Sequence, residues 1–354
     1  MGRSLLPLTL SLLLSLALAG CGNGSDTDAG GSAPYPGLPG SSNPQGERNL
    51  AILIRGALQG RVKTTPWAGS WFPYSSGGIS QAASKYEGAT GQAGAVSWEQ
   101  EHHGPGLPGI QDWWGHCNGW AAAAALVPEP RKDASRQGVN FGVGDQKALF
   151  TEIAMEVSAE FFGTRYDTGG TSSAAFQDVY PNQFFLVMTN YIGRGFPVLL
   201  DRYTGSQVWN QPLAGYQTDA PSPQDYLGAS PGAPNVYRLN LTTRIWWVRD
   251  DVEPGHLTEA FDFKDGPSYE SRVLRYEVWL DGPVQFGSDG QISQAGNLIL
   301  PREGNTVTGG VWRNGNLELN NSHPDYMWVP KAFAPSTGFA NPRIDANWVR
   351  GFSG

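Results

Sequence analysis

The first place in this chain to look for chemistry is a cysteine where a glycine-rich loop runs into an alanine-rich segment. Cys117 follows Gly115 and His116, and precedes Asn118, Gly119, Trp120 and a run of alanines from Ala121 to Ala125. Consecutive alanines have the best helix propensity available, and Pro128 and Pro130 then stop the helix. A thiolate nucleophile needs a lowered pKa, a base that orients it, and donors for the developing oxyanion. The first turn of a helix supplies the first of these through its dipole and its backbone N–H groups. Gly115 allows close backbone approach, and the Asn118 side chain is a further donor.

The chain has two cysteines, and the other is Cys21. Arg3 and the apolar run from Leu5 to Leu18 lead into Leu18-Ala19-Gly20-Cys21, which resembles a bacterial lipobox. That resemblance predicts a signal peptide over 1–20 and lipidation of Cys21. It implies export, with a lipid anchor in the outer membrane or at the cell surface. Gly22 in place of an Asp favours the outer membrane. The apolar run is too short and interrupted for a comfortable membrane span. Residues 21–47, rich in Gly, Ser, Asp, Asn and Pro, read as a flexible tether, and 48–354 as the working domain. With Cys21 lipidated, Cys117 is the one thiol left. Exported proteins normally pair their cysteines, so a single thiol there is either buried and inert or reactive. The polar neighbours His116 and Asn118 favour reactivity.

The base is expected to be a histidine, and the chain has five. His116 adjoins Cys117, so the two side chains point apart, and it reads as structural. His102 and His103 lie upstream. In papain-like enzymes, which this order resembles, the His follows the Cys on a later strand. That leaves His256, in a turn-like Pro254-Gly255-His256, and His323, at the entrance to a strand. His323 is preferred, because Asp325 two residues on shares its face in an extended segment. Asn341, Asp345 and Asn347 are the alternative orienters. Gln111, six residues before Cys117, stands where papain-like enzymes carry an oxyanion donor.

The formal net charge of −8 and the absence of a basic patch exclude a nucleic-acid partner. No Cys/His cluster has zinc spacing, and Asp250-Asp251 is too short for a calcium loop. No cofactor is implied by the residues, with calcium left open. Helices are predicted over 49–60, from an Asp145 N-cap to Glu160, and over Phe184 to Ile192. Strands are predicted at Val198 to Leu200, Val236 to Val248, Val273 to Leu280, Leu298 to Leu300, Thr306 to Trp312 and Tyr326 to Val329. Residues 64–86 and 102–116 read as loops. Helices first and strands later fit an α+β domain.

Several stretches in order resemble the transglutaminase elicitor family. These are Trp113-Trp114-Gly115-His116-Cys117-Asn118-Gly119-Trp120-Ala121, Val208-Trp209-Asn210-Gln211-Pro212, and His323-Pro324-Asp325-Tyr326-Met327-Trp328, with Thr65 to Pro73 and Asp178 to Pro181 upstream of the latter two. The resemblance spans roughly residues 50–330 and implies a papain-like fold. In such a fold, helices carrying the nucleophile pack on an antiparallel sheet. The resemblance also implies a Cys-His-Asp triad of Cys117, His323 and Asp325, with Gln111 as oxyanion donor. The reaction implied is transfer of a protein glutamine γ-acyl group through a thioester to a Lys side chain or other amine. The same residues with water as acceptor would make a thiol protease or amidase; a third reading is a catalytically inactive surface-binding lipoprotein. Trp113, Trp114 and Trp120 are expected to wall a dry tunnel to the sulfur.

Overall fold

The computed structural model describes residues 43–163, 178–203, 207–301, 309–313, 323–333 and 340–353. The signal peptide, Cys21 and residues 21–42 of the tether lie outside the described residues. Part of the stretch expected to be tether packs on the domain: Asn43 Nδ2 donates to the Pro301 carbonyl, and Glu47 N to Asn190 Oδ1.

The helices are α1 (Leu50–Gly56), α2 (Ser80–Thr90), α3 (Ala95–His103), α4 (Cys117–Leu126), α5 (Val143–Ile153), α6 (Pro181–Asn190) and α7 (Ala346–Arg350). The strands are β1 (Gln59–Arg61), β2 (Ala134–Arg136), β3 (Val139–Phe141), β4 (Val157–Phe162), β5 (Leu199–Asp201), β6 (Asn210–Thr218) and β7 (Tyr226–Ser230). They continue with β8 (Ala233–Val248), β9 (Tyr269–Leu280), β10 (Gln285–Phe286), β11 (Ile292–Gln294), β12 (Val311–Trp312) and β13 (Met327–Phe333). The main sheet runs β12-β9-β8-β6-β5-β13-β4, with β1 on β6 and β7 on β8. Its pairings are antiparallel, so the α+β expectation holds.

Side-chain alternation splits the core into two layers across this sheet. Ala214, Trp246, Val248 and Trp328 face one layer, with α2, α4 and α5. Leu213, Ile245, Trp247, Met327 and Val329 face the other, with α1 and α6. α4 is buried along nearly its whole length, because its small residues let neighbouring elements approach closely. At Gly119 a Cβ would lie 2.4 Å from the Thr151 carbonyl of α5.

Three local expectations change. The helix predicted from Asp145 to Glu160 ends at Ile153, and Val157–Phe162 becomes a strand. Phe162 pairs with Met327 and Val157 with Phe333, so cross-strand pairing overrides helical periodicity. Asp145 is not the N-cap but lies within the first turn, where Oδ2 accepts from Gly142 N at 2.7 Å. α2 and α3 occupy stretches in which no helix was expected. Both are Ala-, Ser- and Glu-containing segments with weak apolar periodicity, and burial of Ala82, Ala83, Tyr86 and Ala95 stabilises them. The Leu298–Leu300 strand reduces to a single bridge, Leu298 to Leu280.

Candidate functional site

Cys117 is the first residue of α4, with His116 as N-cap. Two backbone segments fix this start. His116 N donates to the Trp71 carbonyl at 2.7 Å, and Tyr74 N to the Trp114 carbonyl at 2.9 Å. Gly115 is required there, since a Cβ would meet the Trp71 carbonyl at 2.8 Å and the Phe72 carbonyl at 3.0 Å. Cys117 therefore occupies a helix N-terminus, where the dipole favours a thiolate.

The sulfur is not at the surface. Cys117 is 0% exposed, and it is disulfide-bonded. A thiolate exists there only once that bond is opened. Its Sγ lies 3.8 Å from the Val208 carbonyl oxygen, so the Val208–Trp209 segment covers it. Trp209 meets Trp71 edge-on at 5.9 Å and Trp113 at 6.4 Å, and Trp113 meets Trp114 at 6.2 Å. Trp71, Trp113 and Trp209 are half-buried and form an aromatic rim beside the cysteine. Trp120, expected in the tunnel wall, instead lies in the core, against Gly69. Trp209 takes its place beside Trp113.

His323 sits just before β13. Its Nε2 is 2.8 Å from Oδ2 of Asp178, and its ring stacks on Trp312 at 4.9 Å. The carboxylate holding this imidazole is thus that of Asp178. Asp325, expected in this role, is fully buried and has its backbone tied up: its N–H donates to the Asp201 carbonyl, and its carbonyl accepts from Val179 N. A residue spaced i+2 shares a strand face, but β13 begins only at Met327; the alternation that favoured Asp325 does not extend back to His323. Nothing local in the sequence ties Asp178 to His323. The signal that could have found it was Asp178-Val179-Tyr180-Pro181, one of the stretches carrying the family resemblance.

Among the described residues, no hydrogen bond joins His323 to Cys117; Nε2 of His323 is engaged by Asp178. A relay of contacts connects the two regions. Trp209 N donates to Asp201 Oδ1 at 2.9 Å, and Asp201 N donates to the Tyr326 carbonyl at 3.0 Å. β5 therefore couples the segment over the sulfur to the segment carrying His323.

The other expected residues fall as follows. Gln111 accepts from Trp113 Nε1 at 2.6 Å, which makes its amide nitrogen the end suited to an oxyanion. Asn118 Nδ2 donates to the Met155 carbonyl at 3.2 Å, tying α4 to the end of α5. Asn341 N donates to Glu152, and its Nδ2 donates to the Ala95 carbonyl. Asp345 caps α7, accepting from Asn347 N and Trp348 N. His256 Nε2 is 2.7 Å from Ser268 Oγ.

A cluster that sequence spacing did not reveal lies directly behind Cys117. Glu99 and His103 of α3, the N-cap His116, and Glu152 of α5 are all buried. His116 Nε2 is 3.0 Å from Glu99 Oε1 and 3.1 Å from Glu152 Oε2. His103 Nδ1 is 3.3 Å from Glu99 Oε2, and the His103 ring stacks on Tyr74 at 4.5 Å. Burial disfavours the His116 imidazolium, but the negative charges of Glu99 and Glu152 against the ring outweigh it and raise its pKa to about 10. Burial likewise raises Glu99, yet His116 and His103 hold its carboxyl well below the usual range. Two buried carboxylates thus demand positive charge at this point.

Comparison with known proteins gives two findings. Residues 99–241 match the family model described as transglutaminase elicitor. The fold is similar to the crystal structure of the GP42 transglutaminase from Phytophthora sojae, with a TM-score of 0.60 and 20% sequence identity over 86% of this chain and 92% of that one. No curated protein matches the chain.

Proposed function

We propose, from the transglutaminase elicitor match around Cys117, that this chain is a transglutaminase-like acyltransferase in which that cysteine is the nucleophile. The observation that supports this most is its position: the cysteine opens α4 inside the matched segment, beneath an aromatic rim. In the reduced protein, the thiolate attacks the γ-carboxamide carbon of a protein glutamine. The resulting oxyanion is met by the Cys117 backbone N–H and the Gln111 amide. The C–N bond breaks, and ammonia leaves with a proton from His323, which Asp178 orients. A Lys side chain or another primary amine then attacks the thioester. It gives up its proton to His323, forms an isopeptide bond and releases the thiolate. The half-buried Trp71, Trp113 and Trp209 would restrict water at the thioester, which favours amine over hydrolysis.

A second reading, a catalytically inactive surface-binding lipoprotein, is favoured by one observation: the sulfur is fully buried. Export and lipid anchoring through Cys21 belong to either reading. Among the described residues, no helix is long and apolar enough to cross a membrane. The experiment is incorporation of a fluorescent amine into a glutamine-rich protein by the reduced chain. Incorporation that Cys117→Ala abolishes is the expected result. Cleavage or deamidation without incorporation would reassign the acceptor to water, and neither product would leave the binding reading.

A further inference from the structure

The geometry points to a closed zinc-class metal site formed by Glu99, His103, His116 and Glu152, a proposal that stands whichever chemistry Cys117 performs. The four side chains offer one donor atom each, and these atoms lie within 4.8 Å of one another. His116 Nε2 is 3.0 Å from Glu99 Oε1 and 3.1 Å from Glu152 Oε2, and His103 Nδ1 approaches the other Glu99 oxygen, Oε2, at 3.3 Å. A tetrahedral ion with bonds of about 2.0–2.1 Å has donor–donor edges of roughly 3.3–3.4 Å.

Hydrogen bonding does not explain the two contacts of His116 Nε2. His116 Nε2 and Glu152 Oε2 are buried atoms without a hydrogen-bond partner, although they lie 3.1 Å apart. An imidazolium directs its single Nε2 proton along one axis, toward one acceptor. Here Nε2 stands between two carboxylates, in the arrangement of donor atoms converging on a shared cation. The other ring nitrogen is fixed from behind: Nδ1 is 3.2 Å from the Phe72 carbonyl. A proton on Nδ1 selects the tautomer whose Nε2 lone pair faces the cluster, the usual outer-shell arrangement of a metal-binding histidine. Phe72 supplies that carbonyl from a left-handed backbone, φ 48°, a costly conformation for a bulky residue. Gly78 leaves room on the same side, where a Cβ would meet Glu99 Oε1 at 2.6 Å and His116 Cε1 at 2.9 Å.

The donor chemistry selects the ion. Two imidazoles with two carboxylates suit zinc and its transition-metal neighbours, whereas calcium takes oxygen ligands. Two carboxylates and two neutral imidazoles around a divalent ion make a neutral set, which a fully buried site requires. Four protein ligands leave no open position, so the ion is structural. It would tie α3 and α5 to the N-cap of α4 and thereby hold the residue preceding Cys117.

The test uses the full chain, tag-free and prepared without chelators. Elemental analysis is expected to give close to one zinc per chain. Chelation should lower the Tm, and added Zn2+ should restore it by mass action. Co2+ in its place should show the visible absorption of a four-coordinate site. Because His116 variants risk misfolding, Glu152→Gln and His103→Gln carry the test, and each should weaken zinc binding by roughly a hundred-fold or more. The proposal is overturned if the chain carries no metal and neither Zn2+ nor chelator moves its Tm. It is equally overturned if the Co2+ spectrum survives Glu152→Gln unchanged, since the ion would then be held by other residues. None of these readouts depends on amine incorporation, so failure here and failure of the acyltransferase reading are distinguishable.

Discussion

Nε2 of His323 lies 2.8 Å from Oδ2 of Asp178, across 145 residues of chain. Both side chains are buried, and Trp312 backs the ring. A carboxylate in this position holds an imidazole in one tautomer and stabilises its charged form during proton transfer. If His323 is the base, Asp178→Asn should lower kcat by about 10²–10⁴ with little change in KM, whereas Asp325→Asn should leave kcat largely as it was. Steady-state amine incorporation checks this, and the reverse ranking would return the orienting role to Asp325.

Cys117 has to be reduced before it can act. Amine incorporation and iodoacetamide labelling are both expected to be absent from the oxidised chain and to appear on treatment with a thiol reductant. A lipidated Cys21 and an intramolecular disulfide at Cys117 exclude each other, because the chain has two cysteines. Intact mass of the membrane-extracted protein under non-reducing conditions separates them. A lipid adduct together with one alkylatable thiol supports anchoring, and no adduct with no alkylatable thiol supports the bond.

Asp250 gives a pH signature of stability. Burial pushes its carboxyl up to about 6, only partly opposed by Arg202 and by the hydrogen bond from Gln211 Nε2 at 2.7 Å. A raised carboxyl pKa means that the folded chain holds this proton more tightly than the unfolded chain. The associated stability is therefore fully present below about pH 4 and is lost as pH rises through about 6. A difference of about two units corresponds to about 3 kcal/mol. Asp250→Asn keeps an acceptor for Gln211 and removes the titration. It should stabilise the protein above pH 6 and flatten this part of the profile, as read by denaturant midpoints across pH 4 to 7.

Gly119 sets the spacing between α4 and α5. An added Cβ would lie 2.4 Å from the Thr151 carbonyl and 2.7 Å from Met155 Sδ. The sulfur can move, but the backbone oxygen cannot move without shifting α5. Gly119→Ala should therefore destabilise by about 1–3 kcal/mol, despite the better helix propensity of Ala. Thermal unfolding measures it, and an unchanged or raised Tm would show that α5 yields.

Much of this organisation was legible from local chemistry. The helix start at Cys117 follows from a glycine approach, an alanine run and two prolines, all within 16 residues. β8 and β9 follow from alternation, which depends only on neighbours two positions apart. The order of motifs pointed to the transglutaminase elicitor family, which the match over 99–241 supports.

Tertiary structure decided what brings distant residues together. Val157–Phe162 reads as helix continuation until β13 pairs with it. Asp178 meets His323, and Trp209 joins the rim over Cys117, through packing across the sheet rather than through spacing. The Glu99-His103-His116-Glu152 cluster draws on two helices and a loop. Only its first two members, at i and i+4, share a sequence pattern. Side-chain periodicity reports the face a residue occupies on its own element, whereas the electrostatics of a buried site depend on which faces the fold brings into contact.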